Sequence, residues 1–582
     1  MSTKRSLPTA QPADAPSYRI FSEGTAIPGS FQVASIMVLR EVNRISSAEL
    51  MIYDGDPAQE DFPASHAPEF APGKKIRIEL GYHQDDEPVF EGYVVRQRIQ
   101  VSGNQSFFKV DCRDKAYKLT LGRNNRYFYE MKDSEIIEQL IRDQGVSADV
   151  SSSTVTHAEM VQYNCSDWDF ILSRADANGL MVYTDAGTIQ VAPPDFFQSA
   201  ALEVRYGATI LDLEAELDGR YQYDDVESAA WDAANQELIK YTANNTAATS
   251  PGDLSTADLA DDVGIGTLKQ YHAGQLIGEE LQAWSSAERQ RSQMAKVRGR
   301  VRIQGFNAIN PGDLIDLGGL GERFSGKAFV SGVRHELNQQ NWETDVTFGI
   351  SPESFARAFE DILPLPAGGL LPAVHGLHIG VVTQLENDPE QAHRIRVRVP
   401  SIDTQSEGTW ARVASLDAGN ERGMFFRPEI NDEVLIGFLH DDPRNPIVLG
   451  HLNSAKLPAP LVATDQNHLK GYVSRAKIKM IFDDDKKSYT LETPGKRILT
   501  LDDNGDLFQM EDADGNKITL NPQGITIETS GKLTLKAAQD VEIKGANINI
   551  KASAKALVNG AASAEFSASG NTVVKGAVVQ IN

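Results

Sequence analysis

The last stretch of the chain, Ile525 to Asn582, restricts the possible folds most, because its apolar residues recur in pairs at steps of eight. Ile525 and Ile527 are followed by Leu533 and Leu535, then by Val541 and Ile543. Members of each pair lie two residues apart, as on one face of a strand. A unit this short cannot bury its apolar face within itself, so neighbouring units or neighbouring chains must cover it. After Gly545 the phase slips by one residue, giving Ile548 and Ile550, then Val558, Phe566 and Val574 at steps of eight from Ile550. From Ala552 to Gly570 the inward candidates are mostly Ala and Ser, as a narrow cross-section requires, and Pro is absent after Pro522. The pattern predicts a β-solenoid or β-prism; the plainer alternative is the tail of a β-sandwich. A single copy would expose its strand edges and its apolar stripe. Three copies wound about one axis pair the edges and bury the stripe, each buried Val, Ile or Leu contributing ~1.5–3 kcal/mol.

Length and charge narrow the class further. At 582 residues the chain exceeds one core, and 41 % apolar with 24 % charged residues is an ordinary globular composition. The amino-terminal MSTKRSLPTAQPADAPSY has basic residues without an apolar run behind them, so a signal peptide is not expected. Assembly in the cytoplasm without a signal peptide is the corresponding expectation. A net charge of −25 disfavours nucleic-acid binding. Two cysteines, Cys112 and Cys165, are too few for a disulfide framework or a zinc site and read as reduced, buried thiols.

Along the chain, residues 1–16 read as a mobile terminus. From Tyr18 to about Arg126 strands alternate with turns. Asp133 is the expected N-cap of SEIIEQLIRDQG, and Ser166 or Asp167 that of a helix bringing together Trp168, Ile171, Leu172 and Ala175. Residues 244–262 read as an exposed acidic loop, Ile277 to Val297 as a longer helix, and residues 362–376 as a Pro/Gly linker. An all-β unit at 377–455 and a β-rich neck at 456–524 precede the repeats of 525–582.

The unit after the linker reads HRIRVRVP (His393 to Pro400), GTWARVAS (Gly408 to Ser415) and RPEINDEVLIGFLHDDPRNPIVLGHL (Arg427 to Leu452). It resembles the oligonucleotide/oligosaccharide-binding (OB) barrel of the VgrG and phage baseplate hub-and-spike family. The matching residues are Trp410, Arg412, Val413, Pro428, Glu429, Asp432, Glu433, Val434, Phe438, Asp442, Pro443, Pro446 and Gly450. QYNCSDWDFILSRADANGLMVY, Gln162 to Tyr183, is similar to that family's hub signature, and the resemblance runs from Tyr18 onward. REVNRISSAELMIYDGDP and EFAPGKKIRIELGY look more like spikes of extracellular contractile injection particles than those of type VI secretion.

The resemblance implies a mainly β, multidomain chain: a tail hub over 17–361 with two barrel-like domains and inserted helices, an OB collar, and an intertwined trimeric β-prism or β-helix needle. The implied function is a homotrimeric spike that joins a hexameric inner tube and baseplate proteins to a tip, meets the target membrane on firing in a particle released or fired outside the cell, and carries cargo or effectors in some cases. The needle core would comprise Ile525, Ile527, Leu533, Leu535, Val541, Ile543, Ile548, Ile550, Val558, Phe566 and Val574. A PAAR-type tip protein would sit on Val578, Val579, Gln580, Ile581 and Asn582.

Catalytic, metal and cofactor sites are not expected. Asp502 to Asp506 and Asp512 to Asn516 superficially resemble calcium loops, but they lack the terminal Glu of the full pattern and contain the favoured hairpin dipeptides Asn-Gly and Asp-Gly. His375 and His378 read as a solvated pair, and no Gly-x-Ser-x-Gly or HExxH is present. The competing reading is a trimeric tailspike enzyme acting on cell-surface glycans, with paired carboxylates in a groove.

Overall fold

The computed structural model describes residues 15–103, 105–244, 248–264, 266–339 and 341–581. Residues 1–14 of the expected mobile terminus, three residues of the expected acidic loop and Asn582 of the expected tip seat lie outside the described residues. The chain divides into two compact units, residues 1–374 with 440–443, and residues 375–439 with 444–582.

The first unit is built on one 13-stranded sheet. Its backbone order runs from Asp212–Leu217 through Val297–Gln304, Trp342–Phe348 and Gly326–Asn338 to Gln32–Glu41, and on through Ser47–Tyr53, Gln105–Arg113, Asp85–Ser102 and Lys75–Tyr82 to Pro16–Ser22 and Thr25–Ala26. The pairing of Gly326–Asn338 with Gln32–Glu41, in register from Gly332 opposite Glu41 to Asn338 opposite Ser35, joins two halves that the sequence suggests are separate barrels. Each half keeps its own core. Ile36, Leu50, Ile76, Ile78 and Phe108 fill one, and Val204, Val301, Ile315, Val333 and Phe348 the other. Alternation of buried and half-buried residues along Gln32–Glu41 follows the two-residue repeat of a strand with one face inward.

A third core holds the helices. α1 (Asp133–Asp143) buries Ile136, Ile137, Leu140 and Ile141, which lie on one face at helical spacing. α2 (Asp167–Ala177) starts at Ser166, whose Oγ accepts a hydrogen bond from the Asp169 N–H at 3.1 Å, and it buries Trp168, Ile171, Leu172 and Ala175. α1 corrects one expectation: Asp133 is its first residue, not its cap. The Glu135 carboxylate accepts from the Lys132 N–H at 2.8 Å, leaving Asp133 free to face the interior. The expected acidic loop also contains a helix, α3 (Thr256–Val263), because Ser255 and Asp258 form a reciprocal capping box and Leu259 and Ala260 are buried. α4 (Gly278–Met294) is three residues shorter at its carboxyl end than the sequence suggests, since Val297 already starts the next strand.

In the second unit, His378–Gln384, Ile395–Arg398, Thr409–Val413, Pro446–His451 and Glu433–Phe438 close into a barrel. Val382, Ile395, Val397, Ala411, Val434, Ile436 and Val448 are buried inside it. Gly408 shows how tightly strands approach: its φ is 85°, and an added Cβ would lie 1.9 Å from the Val397 carbonyl oxygen.

Candidate assembly site

Seven short strands follow the barrel: Leu469–Val473, Lys479–Asp483, Ser488–Glu492, Ile498–Asp502, Leu507–Glu511, Lys517–Asn521 and Gly524–Glu528. They pair antiparallel in sequence order. Two of the turns between them are made by the acidic motifs Asp502 to Asp506 and Asp512 to Asn516. The Asp502 carboxylate accepts the Gly505 N–H at 2.8 Å, and Asp512 Oδ1 accepts the N–H groups of Asp514 and Asn516 at 2.9 and 3.0 Å. These carboxylates serve their own hairpins. Among the described residues no group of three or more potential metal ligands comes together.

The register sorts the side chains by chemistry. Tyr472, Met480, Leu491, Leu499, Met510, Ile518 and Ile527 lie opposite one another in a row across all seven strands. Two residues along, on the same face, runs a second row of Lys470, Phe482, Tyr489, Leu501, Phe508, Leu520 and Ile525. Thirteen of these fourteen positions are apolar or aromatic, Lys470 being the exception. On the reverse face the central row is Gly471, Ile481, Thr490, Thr500, Gln509, Thr519 and Thr526. An alternation of this kind, with Ile481 the apolar exception in the reverse row, belongs to a sheet with one buried and one wet face. In the single chain the apolar face is open: Phe482 is 47 % exposed and Met510 46 %.

The segment expected to form the needle begins on this face. Ile525 and Ile527 belong to the last strand and end the two apolar rows. Downstream, residues 529–581 contain no strand, and Leu533, Leu535, Val541, Ile543, Ile548, Ile550, Val558, Phe566 and Val574 are all exposed. Val578, Val579 and Ile581 are exposed as well. Charge placement agrees with the inward register: Lys532, Lys536, Asp540, Glu542 and Lys544 all fall at the alternate, outward parity, as do Lys551, Lys555, Glu565 and Lys575 after the phase slip. A stripe free of charge along the whole segment is what a dry interface needs.

The apolar rows of the neck escape a search for strict eights. Their doublets, Met480 and Phe482, Tyr489 and Leu491, Leu499 and Leu501, Phe508 and Met510, Ile518 and Leu520, recur at steps of nine or ten, because the hairpin turns add a residue or two to each repeat. Tracking the i, i+2 doublet rather than the period would have found them.

The barrel motif residues hold strand ends. Pro428 is buried and Asp432 Oδ2 accepts the Glu429 N–H at 2.8 Å, a turn that also needs Asn431 at φ 72°. Val434 then enters the core, and the Arg396 guanidinium lies 5.8 Å from the Trp410 ring centroid. In the first unit a buried polar cluster has the residue types of an active site. The Asp133 carboxylate accepts from Arg174 Nε at 2.6 Å, Arg174 Nη2 at 3.0 Å and Asn178 Nδ2 at 2.9 Å, and lies 3.0 Å from His157 Nε2. Burial alone would raise its pKa, but the hydrogen bonds from His157 and Arg174 hold it well below the usual carboxylate range. With four partners its acceptor positions are taken, and the cluster fastens α1 to α2. His378 Nε2 contacts the His375 carbonyl oxygen at 3.0 Å. Cys112 and Cys165 are free thiols, both buried.

Residues 378–452 match the model of the type VI secretion system/phage-baseplate injector OB domain. The spike protein VgrG1b of the Pseudomonas aeruginosa type VI secretion system is 23 % identical over 422 residues, 67 % of this chain and 55 % of that protein. The chain thus spans little more than half the length of this curated relative. Two solved structures are similar at lower likeness. A tail protein of prophage MuSo2 from Shewanella oneidensis is 13 % identical, covers 58 % of this chain and 99 % of its own, and has a TM-score of 0.45. An Escherichia coli component of the type VI secretion system is 14 % identical, covers 75 % and 100 %, and has a TM-score of 0.38. The injector OB match and the likeness over two thirds of the chain make this protein similar to spike proteins of the VgrG type. Its amino-terminal half is more particular. Residues 12–339, more than half of the chain, match the Alg8 N-terminal domain, and the chain belongs to that family.

Proposed function

We propose that this chain is the structural hub and spike of a contractile injection machine, acting as a homotrimer that joins a hexameric inner tube to the tip and pierces the target envelope when the sheath contracts. The observation that carries this reading is the uncovered apolar face of the neck, running without a break into a repeat that has no pairing within its own chain. Further copies of the same surface are the natural cover, since a closed ring of identical chains uses the same contact each time. A trimer with two similar halves in each hub offers six quasi-equivalent positions to a hexameric tube, resolving the symmetry mismatch. Once paired between chains, the strands of the needle have no free edge, and a rod of that kind transmits axial force without unfolding.

The chemistry of this function is mechanical, with no bond made or broken by the spike itself. Exposed Val578, Val579 and Ile581 support a seat for a PAAR-type tip protein. Deleting Gly576 to Asn582 should abolish its co-purification, and unchanged capture would refute the seat. The hub phrases at Arg40 to Pro57 and Glu69 to Tyr82 favour a particle of the extracellular kind over type VI secretion. Light scattering tests the main reading: a mass near three times 63.7 kDa is expected, and a monomer with a folded carboxyl end defeats it.

A further inference from the structure

Resting on the trimeric reading, we propose that the surface which first joins the three copies is the seven-stranded sheet of residues 469–528, docking as three prefolded walls, and that this contact sets the register from which the octads then pair. The sheet is complete before assembly, because each strand finds its partner within the same chain. Residues 529–581 have no strand of their own. Pairing the octads of three separate chains from the start would require ordering some fifty residues in each with no surface to guide them, and backbone entropy opposes every one. Docking ready-made sheets avoids that step.

Geometry selects the number of walls. Five residues at ~3.4 Å make each wall about 17 Å wide. Three such walls form a triangle whose sides stand about 5 Å from the axis, half the ~10 Å spacing of packed sheets, so side chains from each wall meet at the centre. Four walls stand at about 8.5 Å and leave a hollow, while two walls leave the flanks of both apolar rows in water. Seven strands at ~4.8 Å give a height of about 34 Å, hence roughly 570 Å² of apolar face in projection before side-chain relief is counted, the same order as the ~800 Å² per partner of a stable interface.

Continuity identifies a further copy of this chain as the occupant. The sheet is laid down in sequence order, so its final strand, Gly524–Glu528, stands at one end and delivers Ile525 and Ile527 to the axis. The first octads repeat that doublet at Leu533 and Leu535 without a break. Once three walls are docked, three chains leave at the same height and in the same phase. On the other face Thr490, Thr500 and Thr519 stay toward water, as an outer wall requires.

The test uses three variants of the full chain: Leu499→Asp with Met510→Asp in the apolar rows, Val541→Asp with Ile543→Asp in the octads, and Thr500→Asp on the polar face. None of these side chains is buried in the single chain, so each variant keeps its monomer fold, checked by circular dichroism. The row variant should lose the trimer and run near 63.7 kDa. The octad variant should remain trimeric but become open to proteolysis downstream of the substitution, and the Thr500 variant should match the wild type. A trimeric row variant, or a monomeric octad variant, overturns the inference while leaving a trimeric wild type intact. A monomeric wild type overturns the spike reading as well.

Discussion

Lowering the pH from 7.5 to 5 should weaken the first unit through one residue, His335. It lies in the strand Gly326–Asn338 with 1 % exposure, its Nδ1 3.0 Å from Thr344 Oγ1 and its ring 6.0 Å from that of Trp342. Nε2 has no hydrogen-bond partner. Burial above all, and then the positive charge of Arg40, pushes the pKa down from 6.5 to about 3. The folded state therefore refuses a proton that the unfolded chain accepts. Stability from this group is fully present above the unfolded pKa near 6.5 and is lost progressively as the pH falls toward 3. Linkage puts the loss at about 2 kcal/mol at pH 5. Urea unfolding of wild type and His335→Leu, followed by hydrogen exchange of the strand at 326–338, measures it. The variant should be less stable at pH 7.5, where Thr344 loses a partner, yet should lose about 2 kcal/mol less between pH 7.5 and 5. Other histidines titrate equally in both proteins and cancel. If the two proteins lose the same stability to within ~0.5 kcal/mol, His335 is not buried and neutral, and the reasoning fails.

Asp133→Asn removes the charge that Arg174 and His157 share beneath α1 and leaves Arg174 without its main counterion; about 3 kcal/mol should be lost in urea unfolding, and a loss below ~1 would show that the cluster is not dry. Gly380→Val should destabilise the barrel by ~1–3 kcal/mol, because an added Cβ meets Ile436 Cδ1 at 2.1 Å, and an unchanged melting profile of this unit would contradict the packing described for it.

How much of this was legible in the sequence depends on the distance over which each feature is encoded. Ser166 caps α2 as its residue type suggests, since a cap is decided within one turn. Asp133 shows the same rule being overridden, because Arg174, forty-one residues away, recruits its carboxylate and Glu135 takes over the local duty. α3 was hidden by the Pro, Gly and Thr around it, although Ser255 and Asp258 carry the reciprocal signal for a helix start. The joining of the two halves of the hub had no local trace: Asn338 pairs with Ser35, about three hundred residues apart, and strand propensity says nothing of the partner.

The carboxyl-terminal region carries its information repetitively, and its repetition is itself physical. Every doublet from Met480 to Ile527 lies on one and the same face of the sheet, and every charge between Lys532 and Lys575 falls at the opposite parity to the apolar series. Within one chain that segregation stabilises nothing, since both faces are in water, and the exposed rows invite aggregation. In the proposed assembly a segregation maintained over about a hundred residues acts on the trimer, where one inward charge would cost the whole stack a dry interior. On the proposed trimeric reading the octads record the surface of another chain, and the seven-stranded sheet is where that record first takes a folded form.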